Sequence, residues 1–295
     1  MFRALRVKQQ PEKIVPDSPV ITAEQLNRDP TLPITFRQIN NLPENAKKRV
    51  YRALLPPALM AQFRIDPVTW RGPEGDQHVQ LHAESDSGNL TIAVRKSTAD
   101  LDDLLRLEFS DNALNEVDLN LILINNPDSP RFSIDQDEHG QPTLFGTARR
   151  NLHEEQMAMQ SGLAPAQSRA GLHASRQVFS QIDSFLGTLG HRAFFLEPLS
   201  YASAWIFERF GFAYVRGHKL MDEIHLEFQP GGRLHNALDG STAFRQPEQW
   251  CTVRGRAWAI HDGILEAIDS RWDGLRMVKQ VGRHGGVDTF PDATF

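Results

Sequence analysis

Gly190-His191-Arg192-Ala193-Phe194-Phe195-Leu196-Glu197-Pro198-Leu199-Ser200-Tyr201-Ala202-Ser203-Ala204-Trp205-Ile206-Phe207-Glu208-Arg209-Phe210-Gly211-Phe212-Ala213-Tyr214-Val215 is the stretch that decides the fold. Ala193 to Leu196 is a continuous apolar run bounded by turn residues, the pattern of a short strand buried on both faces. Pro198 ends it. From Ala202 the period becomes helical, with Ala202, Ile206 and Phe210 four apart and Phe207 beside them. Gly211 supplies a residue able to close a helix in the left-handed conformation, and Phe212 to Val215 then reads as a strand.

Upstream, Ala174, Val178, Phe179, Ile182, Phe185, Leu186 and Leu189 recur at intervals of three and four, the stripe of a core-facing helix. Gly190 stops it, and His191 and Arg192 complement its dipole. The order from Gly171 onward is therefore helix, strand, helix, strand.

The wording of the second helix and the turn after it, Ala-Ser-Ala-Trp-Ile-Phe-Glu-Arg-Phe-Gly-Phe from Ala202 to Phe212, resembles the late helix of GNAT-superfamily acyltransferases. Small residues let such a helix lie close to a sheet, and Gly-Phe turns the chain and sets an aromatic in the core. The resemblance covers roughly 90–228, and its specific motifs lie in the last third. It implies an α+β fold with a mixed, largely antiparallel sheet flanked by helices. It also implies acyl transfer from acetyl-CoA or a longer acyl-CoA to an amine of a small molecule or a protein.

The family holds the pyrophosphate of its acyl donor on backbone N–H groups at a helix start. By this resemblance the corresponding loop is Gln167, Ser168, Arg169, Ala170, Gly171, Leu172 and His173. Gly171 lies four residues after Gln167 where the family pattern has three, and His173 stands at the second small position. Phe207 occupies the place of a tyrosine that protonates the leaving thiolate, which leaves Tyr201 as the proton donor implied. The general base implied is Glu155. Asn151 with Glu154 reads as a helix cap, which would make Glu154 and Glu155 dipole partners; an extended segment is what would free Glu155 for catalysis. The irregular loop and Phe207 equally suit a noncatalytic module of the same fold that senses a ligand or contacts a protein.

Antiparallel strands are expected before this unit. His78 to Glu84 and Asn89 to Arg95 alternate around Ser85-Asp86-Ser87-Gly88 as a hairpin, and Val117 to Ile124 alternates again. A helix is read near Ala99 to Leu107. Arg131 to Asp135 and Gln141 to Thr147 read as a further pair, and Lys219 to Phe228 as a strand bearing His225 and Glu223 on one face.

Three regions are expected: an N-terminal extension over 1–75 with one helix from Asn41 to Leu54, the acyltransferase-like domain over 76–228, and a Trp-rich C-terminal extension over 229–295. The N-terminal part is punctuated by Pro11, Pro16, Pro19, Pro30 and Pro33. Lys47, Lys48, Arg49 and Arg52 form a basic side of its helix, read as a solvated face. In the C-terminal part Val253 to Ile268 reads as a helix. The last residues read as an extended tail that covers the domain or contacts a second copy in a homodimer.

The 295 residues, 40% hydrophobic, suffice for a core. A net charge of −5 and a pI near 6.1 argue against general nucleic-acid binding. Cys251 alone excludes an internal disulfide or a multi-cysteine zinc site and suits a cytoplasmic protein. No secretory leader or membrane span is expected. His218 and His225 flank Asp222 and Glu223, but no third ligand stands at a diagnostic spacing, so no metal is expected.

Overall fold

The computed structural model describes residues 31–144, 146 and 148–295. The prolines Pro11, Pro16, Pro19 and Pro30 lie outside the described residues. The fold is α+β, and the described strands form one mixed, mostly antiparallel sheet in the order β1-β2-β3-β4-β5-β7-β6.

The strands are β1 (Val79–His82), β2 (Asn89–Val94), β3 (Leu105–Asp111), β4 (Val117–Ile124), β5 (Ala193–Leu196), β6 (Ala213–Arg216) and β7 (Arg276–Gln280). The helices are α1 (Phe36–Asn40), α2 (Glu44–Tyr51), α3 (Pro57–Gln62), α4 (Leu152–Gln160), α5 (Ser175–Thr188), α6 (Tyr201–Arg209), α7 (His218–Glu227), α8 (Arg233–Asn236) and α9 (Val253–His261).

Register divides the sheet into two unlike faces. Leu90 opposes Phe109, Ile92 opposes Leu107 and Val94 opposes Leu105, and all six are buried. Helices cover this side: Phe36 of α1 packs at 5.5 Å from the Phe109 ring and at 6.4 Å from the Phe185 ring of α5, with Tyr51 of α2 beside them. The other face carries Thr91, Arg106, Glu108, Asp118 and Arg276, all half-buried. Alternation in the sequence thus has its usual meaning, apolar toward the core and polar away.

β4 and β5 are parallel, while every other pairing in the sheet is antiparallel. The two pair only at Val117 with Phe194 and Asp118 with Phe195, although β4 runs on to Ile124. On its other side β4 carries a bulge: Glu108 opposes Leu121 and Phe109 opposes Leu119, leaving Asn120 as the extra residue. A bulge bends its strand and raises the local twist, so β4 turns away from β5 from this point on.

Several expectations need correction. Leu105 to Leu107, expected at the end of a helix, begins β3, because Leu105, Leu107 and Phe109 alternate onto the buried face and pairing on both edges outweighs local propensity. Among the described residues of Arg131 to Asp135 and Gln141 to Thr147 there is no strand; Gln136 and Pro142 make an isolated bridge. The segment 218–227 is helix α7, where Met221, Ile224 and Phe228 are spaced for burial and Gly217 (φ 100°) enters it in the left-handed region. Lys47 is buried, donating to Ala83 O at 2.8 Å and pairing with Glu44 at 2.5 Å. The helix read over 253–268 breaks at Gly263 (φ 85°), and Ile264–Ile268 is a separate 3-10 turn.

The described parts of the terminal regions belong to the core. Phe36 and Tyr51 stand in the same buried cluster as Phe109 and Phe194, and so do Met277 and Phe290. β7, from the region expected to be an extension, lies between β5 and β6 and pairs with both. The final Phe295 stacks on Trp205 of α6 at 5.9 Å. Ending the chain at Ser270 should therefore remove an interior strand and abolish cooperative thermal unfolding followed by circular dichroism, since the loss exceeds the roughly 5–15 kcal/mol that holds a domain together. A dispensable tail would leave the transition in place.

Candidate functional site

The divergence of β4 from β5 opens a cleft of about 440 Å³. Leu119, Ile122 and Ile124 reach it from the helix-covered face of β4, and Leu121 and Leu123 from the other face, so the opening runs through the sheet. Beyond Asp118 that edge of β4 has no ladder partner, which leaves strand backbone groups directed at the opening. α5 contributes Ser175 and Phe179; α6 contributes Ser200, Ser203, Ile206 and Phe207 from its preceding cap and one face.

α6 presents that face because its start is fixed. Ser200 Oγ accepts from Ser203 N at 3.2 Å while Ser200 N donates to Ser203 Oγ at 2.9 Å, a capping box that sets the helix rotation. Phe179 of α5 then stacks on Phe210 at 4.6 Å and meets Phe207 edge-on at 5.9 Å, locking α5 to α6 with aromatic contacts.

The start of α5 lies beside the end of β4. Asn126 N donates to Ala170 O at 2.7 Å, and a Cβ placed on Gly171 would stand 3.6 Å from Ile124 O. The cap residue Ala174 offers no side-chain bond, and the amides of Gly171 to Gln177 find no acceptor among the described residues. Exposed Arg176 in the first turn has no ion-pair partner among them. Free N–H groups, the dipole of a 14-residue helix and a free guanidinium together favour an anion.

The expected binding loop divides in two. Gln167, Ser168 and Gly171 line the cleft. Gln167 Oε1 is engaged by Ala164 N at 2.8 Å, and Ser168 O by Phe132 N at 2.8 Å. Arg169 faces elsewhere, donating from Nε to Asp102 at 2.7 Å and from Nη1 to Ser129 O. Ala170 N donates to Ser129 Oγ. Leu172 is half-buried against the core, and His173 is exposed with φ 56°. The amides of Ser168, Arg169 and Gly171 to His173 have no acceptor among the described residues, and those of Gly171 to His173 lead directly into α5.

Glu155 is not among the cleft residues. It is 2% exposed on α4, accepts from Arg150 Nη2 at 2.5 Å and lies 3.2 Å from His261 Nε2; Arg150 reaches Asp262 at 2.8 Å, and Arg245 reaches it at 3.0 Å. This network closes a small second core of Ile134, Ala158, Leu163, Phe244 and Trp258, which joins the 126–170 segment to α9. The general-base role expected of Glu155 is set aside: α4 is a helix, and the carboxylate is consumed in an internal anchor. Tyr201 is likewise turned away. It is 1% exposed, its ring edge meets Trp272 at 6.2 Å, and burial pushes its hydroxyl above the ordinary tyrosine range despite the nearby Arg256 charge. Phe207, not Tyr201, is the aromatic of α6 that faces the cleft.

The carboxylates at the rim are unequal. Asp102 is matched by Arg131 and Arg169, and Asp103 by Arg95 and Arg106. Glu197, at the end of β5, is 63% exposed and 3.6 Å from Arg276 Nη1, which binds Asp118 more closely at 2.5 Å. Glu197 is therefore the least committed acid of the lining, and the reading of the sequence passed over it. Its signal was position, the first ionisable residue after a strand of a parallel pair, where crevices at carboxyl ends collect ligands.

His218 and Asp222 are 3.7 Å apart on the exposed side of α7, and the described residues contain no group of three or more His, Cys, Asp or Glu able to hold a metal. No helix among them is long and apolar enough to cross a membrane. No protein-family model matches the chain, and no curated protein or solved structure matches it.

Burial pushes the Glu155 carboxyl up, but the hydrogen bonds and charges of His261 and Arg150 outweigh it and hold the group below the ordinary glutamate range. A depressed folded-state value stabilises the protein above the unfolded pKa, and the benefit disappears as pH falls through the folded value. Glu155→Gln should cost about 3–5 kcal/mol at pH 7 in urea unfolding, with the gap to wild type narrowing below about pH 4. A gap that does not change with pH would contradict the ion-pair account.

Proposed function

We propose that the protein is an acyl-CoA-dependent N-acyltransferase of GNAT-like architecture. The observation that carries this reading is the parallel β4–β5 pair that diverges beyond a bulge and opens onto the free N-terminus of α5. The Ala202 to Phe212 wording supports it from sequence, since that segment forms α6 and the turn into β6, as the resemblance implies.

In this reading the pyrophosphate rests on the amides of Gly171 to Gln177 with Arg176 nearby. The pantetheine arm lies along the unpaired edge of β4, whose N–H groups can polarise the thioester carbonyl. The amine enters from the polar face through the opening. Glu197 takes the proton from the amine nitrogen as the new C–N bond forms, the C–S bond breaks, and the thiolate takes a proton from water. Phe207 at the wall shields the sulfur without donating a proton.

Gly171 has room for a side chain and an ordinary φ, so Gly171→Glu should fold. Titration calorimetry should show micromolar acyl-CoA binding by the wild type and its loss in this variant, because a carboxylate there repels phosphate. Failure of the wild type to bind any acyl-CoA would favour the noncatalytic module. Glu197→Gln should lower kcat in an amine-acylation assay by roughly 10²-fold or more while leaving acyl-CoA affinity within about threefold; unchanged kcat would exclude Glu197 as the base.

A further inference from the structure

The cleft is built in two chemically distinct parts. Toward α5 it reaches Gly171 and Ser175, whose amides have no acceptor among the described residues, and exposed Arg176 stands in the same first turn, a place for negative charge. Between the strands and α6 its walls are mainly aliphatic or aromatic, including Leu119, Ile122, Phe179, Leu196, Ile206 and Phe207, with Asn120 and Glu197 on the strand side. The only polar side chains from α6 and its cap are Ser200 and Ser203, and their hydroxyls are tied to each other.

The mouth continues this apolar character outward. Leu101, from the β2–β3 connection, is 83% exposed, and Leu199, before α6, is 53% exposed; both line the cleft. The acids beside Leu101 offer no free charge, because Asp102 and Asp103 are each bound by two arginines. Exposed leucines at the lips of such a cleft, where Glu197 is the one acid of the lining left loosely paired, are costly to leave in water and are satisfied by an apolar occupant.

We infer that the cleft takes an amphiphile, with an anionic head at the α5 N-terminus and an aliphatic chain of medium length along the β4–α6 wall and between Leu101 and Leu199. The inference rests on the acyl-transfer reading only for the identity of the head; in that reading it makes the acyl group a fatty chain of about six to twelve carbons in place of acetyl, a range that fits a cleft of ordinary ligand-site volume. Each methylene removed from water should tighten binding about fourfold until the cleft is full.

The test is a calorimetric series on the full chain with acetyl-, butyryl-, octanoyl- and palmitoyl-CoA, and in parallel with free butyrate, octanoate and decanoate. Octanoyl-CoA, longer than acetyl-CoA by six methylenes, should bind more tightly by on the order of a thousandfold or more. In Leu199→Asp, an exposed position that should not disturb folding, the ratio between the two should collapse toward one, and Ile206→Trp should shorten the preferred chain. Equal affinity for acetyl- and octanoyl-CoA overturns the inference and leaves acyl transfer standing. Chain-dependent binding of the free carboxylates without binding of any thioester sustains the inference and removes acyl transfer. Binding of none of the probes overturns both, and an unchanged ratio in Leu199→Asp with an unchanged chain preference in Ile206→Trp overturns the placement of the chain.

Discussion

Two parallel strands that pair at Val117–Phe194 and Asp118–Phe195 and then part company are the constraint from which the rest of the structure follows. Ladder hydrogen bonds tie strands firmly only where both edges continue. The bulge at Asn120 makes β4 one residue longer than its partner β3 and bends it away from β5. The gap cannot be closed by backbone, so side chains from α5 and α6 form its walls. The cleft is thus a consequence of strand geometry, and its character is set by whichever residues face it.

Holding that gap open without collapse requires support on both sides. On one side Phe179, Phe207, Phe210 and Phe212 lock α5 to α6 and β6. On the other, the segment carrying Ala164 to Ser168 is pinned from outside: Trp258 Nε1 donates to Leu163 O at 2.8 Å, and Arg254 donates to Gly162 O. Arg254 also reaches Phe295 O, and Phe295 stacks on Trp205. The C-terminal region therefore braces one wall of the cleft and the back of α6 together. Combined with β7 inside the sheet, it makes the last residues of the chain part of the site's foundation.

Much of the architecture was legible in residue spacing. The stripe from Val178 to Leu186, the apolar run at Ala193 to Leu196 and the alternation of Val117 to Ile124 each correspond to an element that the structure contains. Elements failed to read where local pattern and tertiary pairing disagree. Leu104-Leu105-Arg106-Leu107 has helix-forming residues, and only the β2 and β4 ladders on its two sides make it a strand. The site was legible in one portion, Gly171 leading into α5, because a helix start announces itself by where the apolar period begins. Glu155 and Tyr201 could not be judged in this way, because whether a polar side chain points to a cleft or to a core depends on helix rotation and on partners such as His261 and Trp272 that lie far along the chain.

By itself the sequence determined the local alphabet where the period is unambiguous: apolar spacing, caps and turn glycines set α5, β5, α6 and β4, since these depend on interactions among residues a few positions apart. Tertiary structure alone decided that β7 enters the sheet between β5 and β6, that β4 leaves β5 after two pairs, and that Glu197 rather than Glu155 stands at the opening. Strand order and side-chain facing arise from contacts between segments tens of residues apart, and their energy belongs to the assembled sheet and core, not to any stretch of chain.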